Sequence, residues 1–194
     1  MAQLPGAAFI RGRDRIVRII DAPTRLEPST FTKNSSTATY ASPSGTMLGL
    51  KGLITADYSP VNNNQEFFLL GDEGFRDSVG TSRAGDLACT AFFTLGLTSG
   101  AVNAAKTPDP ALALVLAAEH DLNKEIYVEV LTHLGEDTGA SKQDYHVRAF
   151  NAGVVDLSES TPADGLLELS WTFQSRGEVF GGVLEETTAI DIYA

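Results

Sequence analysis

Cysteine is almost missing from this 194-residue chain. The single Cys89 excludes an intrachain disulfide, and its place in the apolar alternation of "DLACTAFF" makes it a core residue. Long hydrophobic runs are missing too: "ALALVLAA" at 111–118 is the longest, far short of the ~20 residues of a membrane helix. A soluble chain without a membrane anchor is expected. The start, "MAQLPGAAFIRGRDR", has no apolar stretch behind a basic one, so no secretory signal is expected. Tryptophan occurs once, as Trp171 inside an apolar alternation, which leaves no aromatic platform for a carbohydrate. Positive charge is scarce, with 14 Lys and Arg against 25 Asp and Glu and a net charge of -11. A chain so acidic is a poor clamp for nucleic acid, which is gripped by neutralising phosphates.

Motifs of catalysis are missing as well. There is no Walker loop, no GxGxxG after a strand, no GxSxG elbow and no HExxH. His120, His133 and His146 lie too far apart for a compact metal site. The acidic "GDEGFRD" lacks the oxygen spacing of a calcium loop and reads as a turn. A non-enzyme with no metal and no cofactor is expected.

What the chain does hold is strand pattern. In "LLELSWTFQ" the residues Leu167, Leu169, Trp171 and Phe173 alternate with Glu168, Ser170, Thr172 and Gln174. Period two is the signature of a strand with one face in a core. The same short, turn-bounded reading applies to "MLGLKGLITADYS", "QEFFLL", "FRDSVGT", "DLACTAFFTL", with Gly85 as a turn before it, "EIYVEVLTHL", "DYHVRAFNAGVVDL" and "TAIDIY". One helix interrupts them, over "TPDPALALVLAAEHDLNK", with Thr107 as its cap and Leu112, Val115, Leu116 and Glu119 at helical spacing. The predicted fold is mainly β, a β-sandwich or barrel with one flanking α-helix and an extended N-terminal arm or loops. A single domain spans 1–194, with 1–50 as the arm and 51–194 as the β-rich core.

Charge divides unevenly between those regions. Residues 1–60 carry seven basic against four acidic side chains, and 61–194 carry seven against twenty-one, so +3 and -14 sum to -11. Arg11, Arg13, Arg15 and Arg18 cluster ahead of a Pro- and Ser-rich stretch. They form a candidate inter-subunit arm that docks on an acidic neighbour. The alternative is that Ile16, Val17, Ile19 and Ile20 make a core strand and the arginines are its solvated side.

The serial order "LLGDEGFRDSVGTSRAGDLACTAFF", "DPALALVLAAEHDLNKEIYVEVL" and "YHVRAFNAGVVDLSESTPADGLLELSWTFQSRGEV" resembles the major tail tube proteins of tailed bacteriophages, over about residues 65–182. The resemblance implies hexameric rings of this chain, stacked into a tube through which DNA passes without specific binding. It further implies tail initiator and terminator proteins, and a sheath where the tail has one, as partners, a place in the virion tail, and assembly in the host cytoplasm. A DNA channel should repel phosphate, so the polar set Glu168, Ser170, Thr172 and Gln174 becomes a candidate channel lining. Other expectations compatible with the pattern are a capsid decoration or tail-completion protein and a carbohydrate-binding β-sandwich.

Overall fold

The computed structural model describes residues 15–31, 39–68, 76–94, 107–137, 142–161, 165–187 and 190. The described residues are mainly β with one helix, as the sequence pattern predicts. Seven strands form one antiparallel sheet in the order β4-β1-β7-β8-β9-β6-β5. They are β1 (Arg15–Asp21), β4 (Leu48–Gly49), β5 (Leu53–Phe68), β6 (Arg76–Phe92), β7 (Ile126–Asp137), β8 (Lys142–Ser160) and β9 (Glu168–Glu186). A separate small ladder pairs β2 (Thr30–Phe31) with β3 (Tyr40–Ala41). The helix α1 spans Pro110–His120.

The sheet is open, yet its edges meet. Strands β4 and β5 occupy opposite edges, but only residues 50–52 separate them in the chain. The sheet must therefore curl, and three bonds hold it so: Leu50 N–H donates to Val17 O at 2.9 Å, Phe92 N–H to Gly52 O at 3.0 Å, and Arg15 on β1 reaches Ala56 O on β5 at 2.6 Å. Gly52, at φ +68°, supplies the left-handed turn between the edges. Long β8 and β9 bend from one layer into the other at register shifts, between Phe150 and Ala152 and between Val155 and Ser158. The result is sandwich-like packing from one open sheet.

Inside the curl lies the larger core. Val17 and Ile19 of β1, Val128 and Val130 of β7, Phe150 of β8, and Leu169, Trp171 and Phe173 of β9 are buried there. Ala111, Leu112, Val115 and Ala118 close it from the helix. The helix cap is Asp109, not Thr107. Its carboxylate accepts from Ala111 N–H at 3.1 Å, and Pro110, with fixed φ and no N–H to lose, opens the first turn.

Three expectations about element boundaries are corrected. The 1–50 region is not all arm, because β1 sits between β4 and β7 with Val17 and Ile19 fully buried. Gly85 is not a turn: β6 runs straight through it, and a Cβ there would lie 2.4 Å from the Tyr58 hydroxyl, so the residue permits a close packing. "MLGLKGLITADYS" is two strands separated by residues 50–52, whereas β5 continues through its asparagines, with a register shift between Asn63 and Asn64, to Phe68. Most of "TAIDIY" lies outside the described residues. Among the described residues no helix is long and apolar enough to cross a membrane.

Candidate functional site

Because strands alternate, the sheet has an outer side as well as the inner core. Over β1, β7 and the first half of β8 that outer side is covered. Residues 22–31 and 39–47 lie across it as a strap, placing Leu26, Phe31, Tyr40 and Met47 on Tyr127, Leu131, Tyr145, Val147 and Ala149. Phe31 meets Phe180 edge-on with ring centroids 5.3 Å apart. Asn151 holds the strap's backbone from both sides, accepting from Leu26 N–H at 3.0 Å and donating to Leu26 O at 2.8 Å.

A polar cluster lies under this strap. Glu129 is fully buried, and Arg18 donates to its Oε2 through Nε at 3.2 Å and Nη2 at 2.6 Å. The Tyr40 hydroxyl donates to Glu129 Oε1 and meets the Tyr127 hydroxyl at 2.9 Å. Arg18 Nη2 also donates to Ser42 Oγ at 3.1 Å. Burial drives the Tyr40 pKa up, and the carboxylate of Glu129 pushes it further. Burial also raises that of Tyr127. Both phenols stay protonated and able to donate.

Over β5, β6 and the first half of β9 the same outer side is bare among the described residues. Ladder partners place Thr55, Thr90, Ser170 and Ser158 in one row, and Asp57, Ala88, Thr172 and Val155 in the next. Ser59, Asp86, Gln174 and Gly153 make a third row, and Glu168 lies beside Ser160 at the start of β9. Thr90 and Ser170 share a hydroxyl hydrogen bond of 3.0 Å across the strands. Three carboxylates, a set of hydroxyls and the Gln174 amide stand at these positions beside Ala88, Val155 and Gly153, with no lysine or arginine among them. The four expected lining residues thus stand together on this face, and sequence reading missed their neighbours Thr55, Asp57, Ser59, Asp86 and Thr90. The alternation "TADYS" against "DLACT" carried that signal, since Ala56 and Tyr58 face Cys89 and Leu87 in the core.

The expected arm is placed differently. Arg15 and Arg18 belong to β1 and are bonded within their own chain, which is the core-strand alternative. Arg11 and Arg13 lie outside the described residues. The histidines do not converge: His120 ends the helix, His133 bonds Gln143 at 2.7 Å, and His146 stands on β8. Among the described residues no group of three His, Cys, Asp or Glu could hold a metal ion. Cys89 is buried, with a pKa pushed up to about 12 by desolvation and then by Asp57, which makes it a poor nucleophile.

No family model matches the sequence. No curated protein matches it either. Solved structures do. A chain in the virion of the native gene transfer agent particle superposes with a TM-score of 0.53 at 9% identity, over 88% of this chain and 97% of that one. A chain in the tail of the empty gene transfer agent particle gives 0.47 at 14% identity, over 87% and 96%. The SPP1 tail tube gives 0.48 at 15% identity, over 94% and 81%. The likeness to the gene transfer agent virion chain shows a common fold.

Proposed function

We propose that this chain is a structural subunit of a viral tail tube, in which copies join edge to edge into a ring and the bare acidic face becomes the wall of a DNA channel. The observation that carries the reading is the contrast between the two halves of the outer side. A surface meant for bulk water needs no such division, whereas a wall facing passing DNA needs carboxylates and small polar groups free of cations. The shared fold with a virion chain supports it.

Strand geometry supplies the joint. The bare face is carried by four antiparallel strands in the order β8-β9-β6-β5, and β7 stops pairing with β8 at Ala152. Among the described residues no strand pairs with the outer edge of β5 or with β8 beyond residue 152. Three antiparallel steps separate them, so the two edges run in opposite directions. A rotated copy therefore continues the antiparallel pattern, and the ring can close without leaving an edge exposed. Six copies would set about 24 strands side by side, and at about 4.8 Å per strand the wall spans at least about 37 Å between backbones, room for one duplex. Arg11 and Arg13, ahead of β1, remain the candidates for contact between stacked rings, and tail initiator, terminator and sheath proteins the candidates for its ends and outside.

Negative-stain microscopy and light scattering of the purified chain test this. Rings or hollow tubes are expected as concentration rises. Monomers alone, across salt and with a tail-initiator partner added, overturn it, and sugar affinity in such monomers selects the carbohydrate-binding alternative.

A further inference from the structure

We propose that Arg176 sets the register of the joint between copies by pairing with Asp57 of the partner subunit. This rests on the edge-to-edge ring above and adds the contact that fixes it. Arg176 lies in the widest interruption of the β8–β9 ladder. Pairing passes from Phe150 with Val179 to Ala152 with Ser175, so β9 carries 176–178 where β8 carries only 151. Such a bulge re-aims a side chain. Here it lays the guanidinium over Gly153, where a Cβ would sit 2.4 Å from Nη2. Only glycine allows this approach. The same Nη2 donates to Leu122 O at 2.8 Å, in the loop joining α1 to β7.

The side chain is thus held from two sides where β7 parts from β8 and the outer edge of β8 becomes free. Fixing an arginine costs rotamer entropy, and here most of that cost is met before any partner arrives. Among the described residues Arg176 has a carbonyl partner and no carboxylate. It is a pre-positioned cation at the rim of rows that carry no other among the positions described above, and an anion completes it.

The approaching edge supplies one. Among the described side chains of β5 that point outward, Thr55, Asp57 and Ser59, Asp57 alone is charged, and it is exposed. Its row passes through Ala88 and Thr172 to Val155, and the adjacent row ends on Gly153. When β5 of a second copy lies beside β8 at the same level, Asp57 of the partner subunit is diagonal to Gly153, at roughly 7–8 Å between backbones. An arginine side chain spans that gap. A one-residue slip would turn Asp57 of the partner subunit to the other side of the sheet, so the pair selects a single register.

A charge-reversal cycle on the full chain, read as the concentration at which tubes form, tests the pairing. Arg176→Asp and Asp57→Arg should each raise it by at least about tenfold, because the contact repeats at every joint. The double variant should return to within about threefold of the natural chain. Circular dichroism checks each fold, and Arg176→Gln with Asp57→Asn, read the same way, answers the question if a reversal misfolds. Single variants that assemble normally overturn the pair, as does a double variant no better than the worse single. Arg176→Asp tubes that assemble normally but eject DNA at an altered rate assign the guanidinium to phosphate instead, which also overturns it. Absence of tubes from the natural chain is a separate result, and it rejects the ring.

Discussion

Strands β8 and β9 each cross two halves of one surface, and the two halves are treated in opposite ways. On the half beside β7, the outer side is covered by residues 22–31 and 39–47 and contains a buried carboxylate. On the half beside β6, the outer side carries an exposed Asp57 and half-buried Asp86 and Glu168. The inner core runs continuously beneath both. Stability and surface chemistry are therefore separable: the strapped half can be damaged through its interior, whereas the bare half can change charge with little effect on the fold.

The largest expected effect comes from the strapped half. Glu129→Ala leaves Arg18 without its carboxylate and the buried Tyr40 phenol without its acceptor, and should lower the unfolding free energy by about 3–5 kcal/mol. Tyr40→Phe, which keeps the ion pair, should cost only ~1 kcal/mol. Urea unfolding of the monomer measures both, and a Glu129→Ala loss below that of Tyr40→Phe would break the comparison.

That cluster also marks what the sequence could not tell. Glu129 sits in "EIYVEV" where alternation reads it as a solvated residue, and its burial depends on Arg18 and Tyr40 arriving from 111 and 89 residues away. The strap was illegible for a related reason. Its segment holds few large side chains, and only those few do the covering. The bare half was legible because Leu169, Trp171 and Phe173 declare the inner face, so every intervening position must look outward. The joining of "TADYS" to "DLACT" across a hairpin was not, since nothing local states which strand lies beside which.

Next in size is a strain effect where β8 bends toward the bare half. Asp156 holds φ at 57° in the bulge between Val155 and Ser158. Asp tolerates this region, but a β-branched residue does not. Asp156→Val should cost roughly 1–2 kcal/mol, while Asp156→Gly should be neutral or stabilising. Equal stability of the two variants would mean the bend relaxes readily.

Reversing charge on the bare half should leave stability within ~0.5 kcal/mol. Glu168→Lys places a cation in every subunit of the proposed wall, so tubes should form while DNA ejection slows, most at low salt where phosphate contacts are strongest. Normal ejection kinetics at every salt concentration would remove Glu168 from the wall. Truncations sharpen the same division at the amino terminus. Loss of residues 1–20 takes Val17 and Ile19 from the core and should unfold the chain, whereas loss of 1–14 should leave a folded subunit defective in stacking.

The smallest effect is a pH slope from the inner face, which belongs to neither outer half. His146 is half-buried, in the row of Arg15, Thr132 and Val183. Burial, then Arg148 and Arg15, hold its pKa below the usual 6.5. Asp144 stands two residues before it on β8, and the coulombic influence of the two arginines prevails. Between its folded pKa and 6.5 the unfolded chain binds a proton that the folded chain does not. Stability is then fullest above about pH 6.5 and declines as pH falls through that window. His146→Gln should flatten this part of the profile, measured as urea midpoints at pH 7.5 and 5.5, while His120→Gln, altering an imidazole with 84% of its side chain exposed, should leave it in place. An unchanged slope in His146→Gln would transfer the effect to carboxylates, and the bare acidic half would then be the first place to look for it.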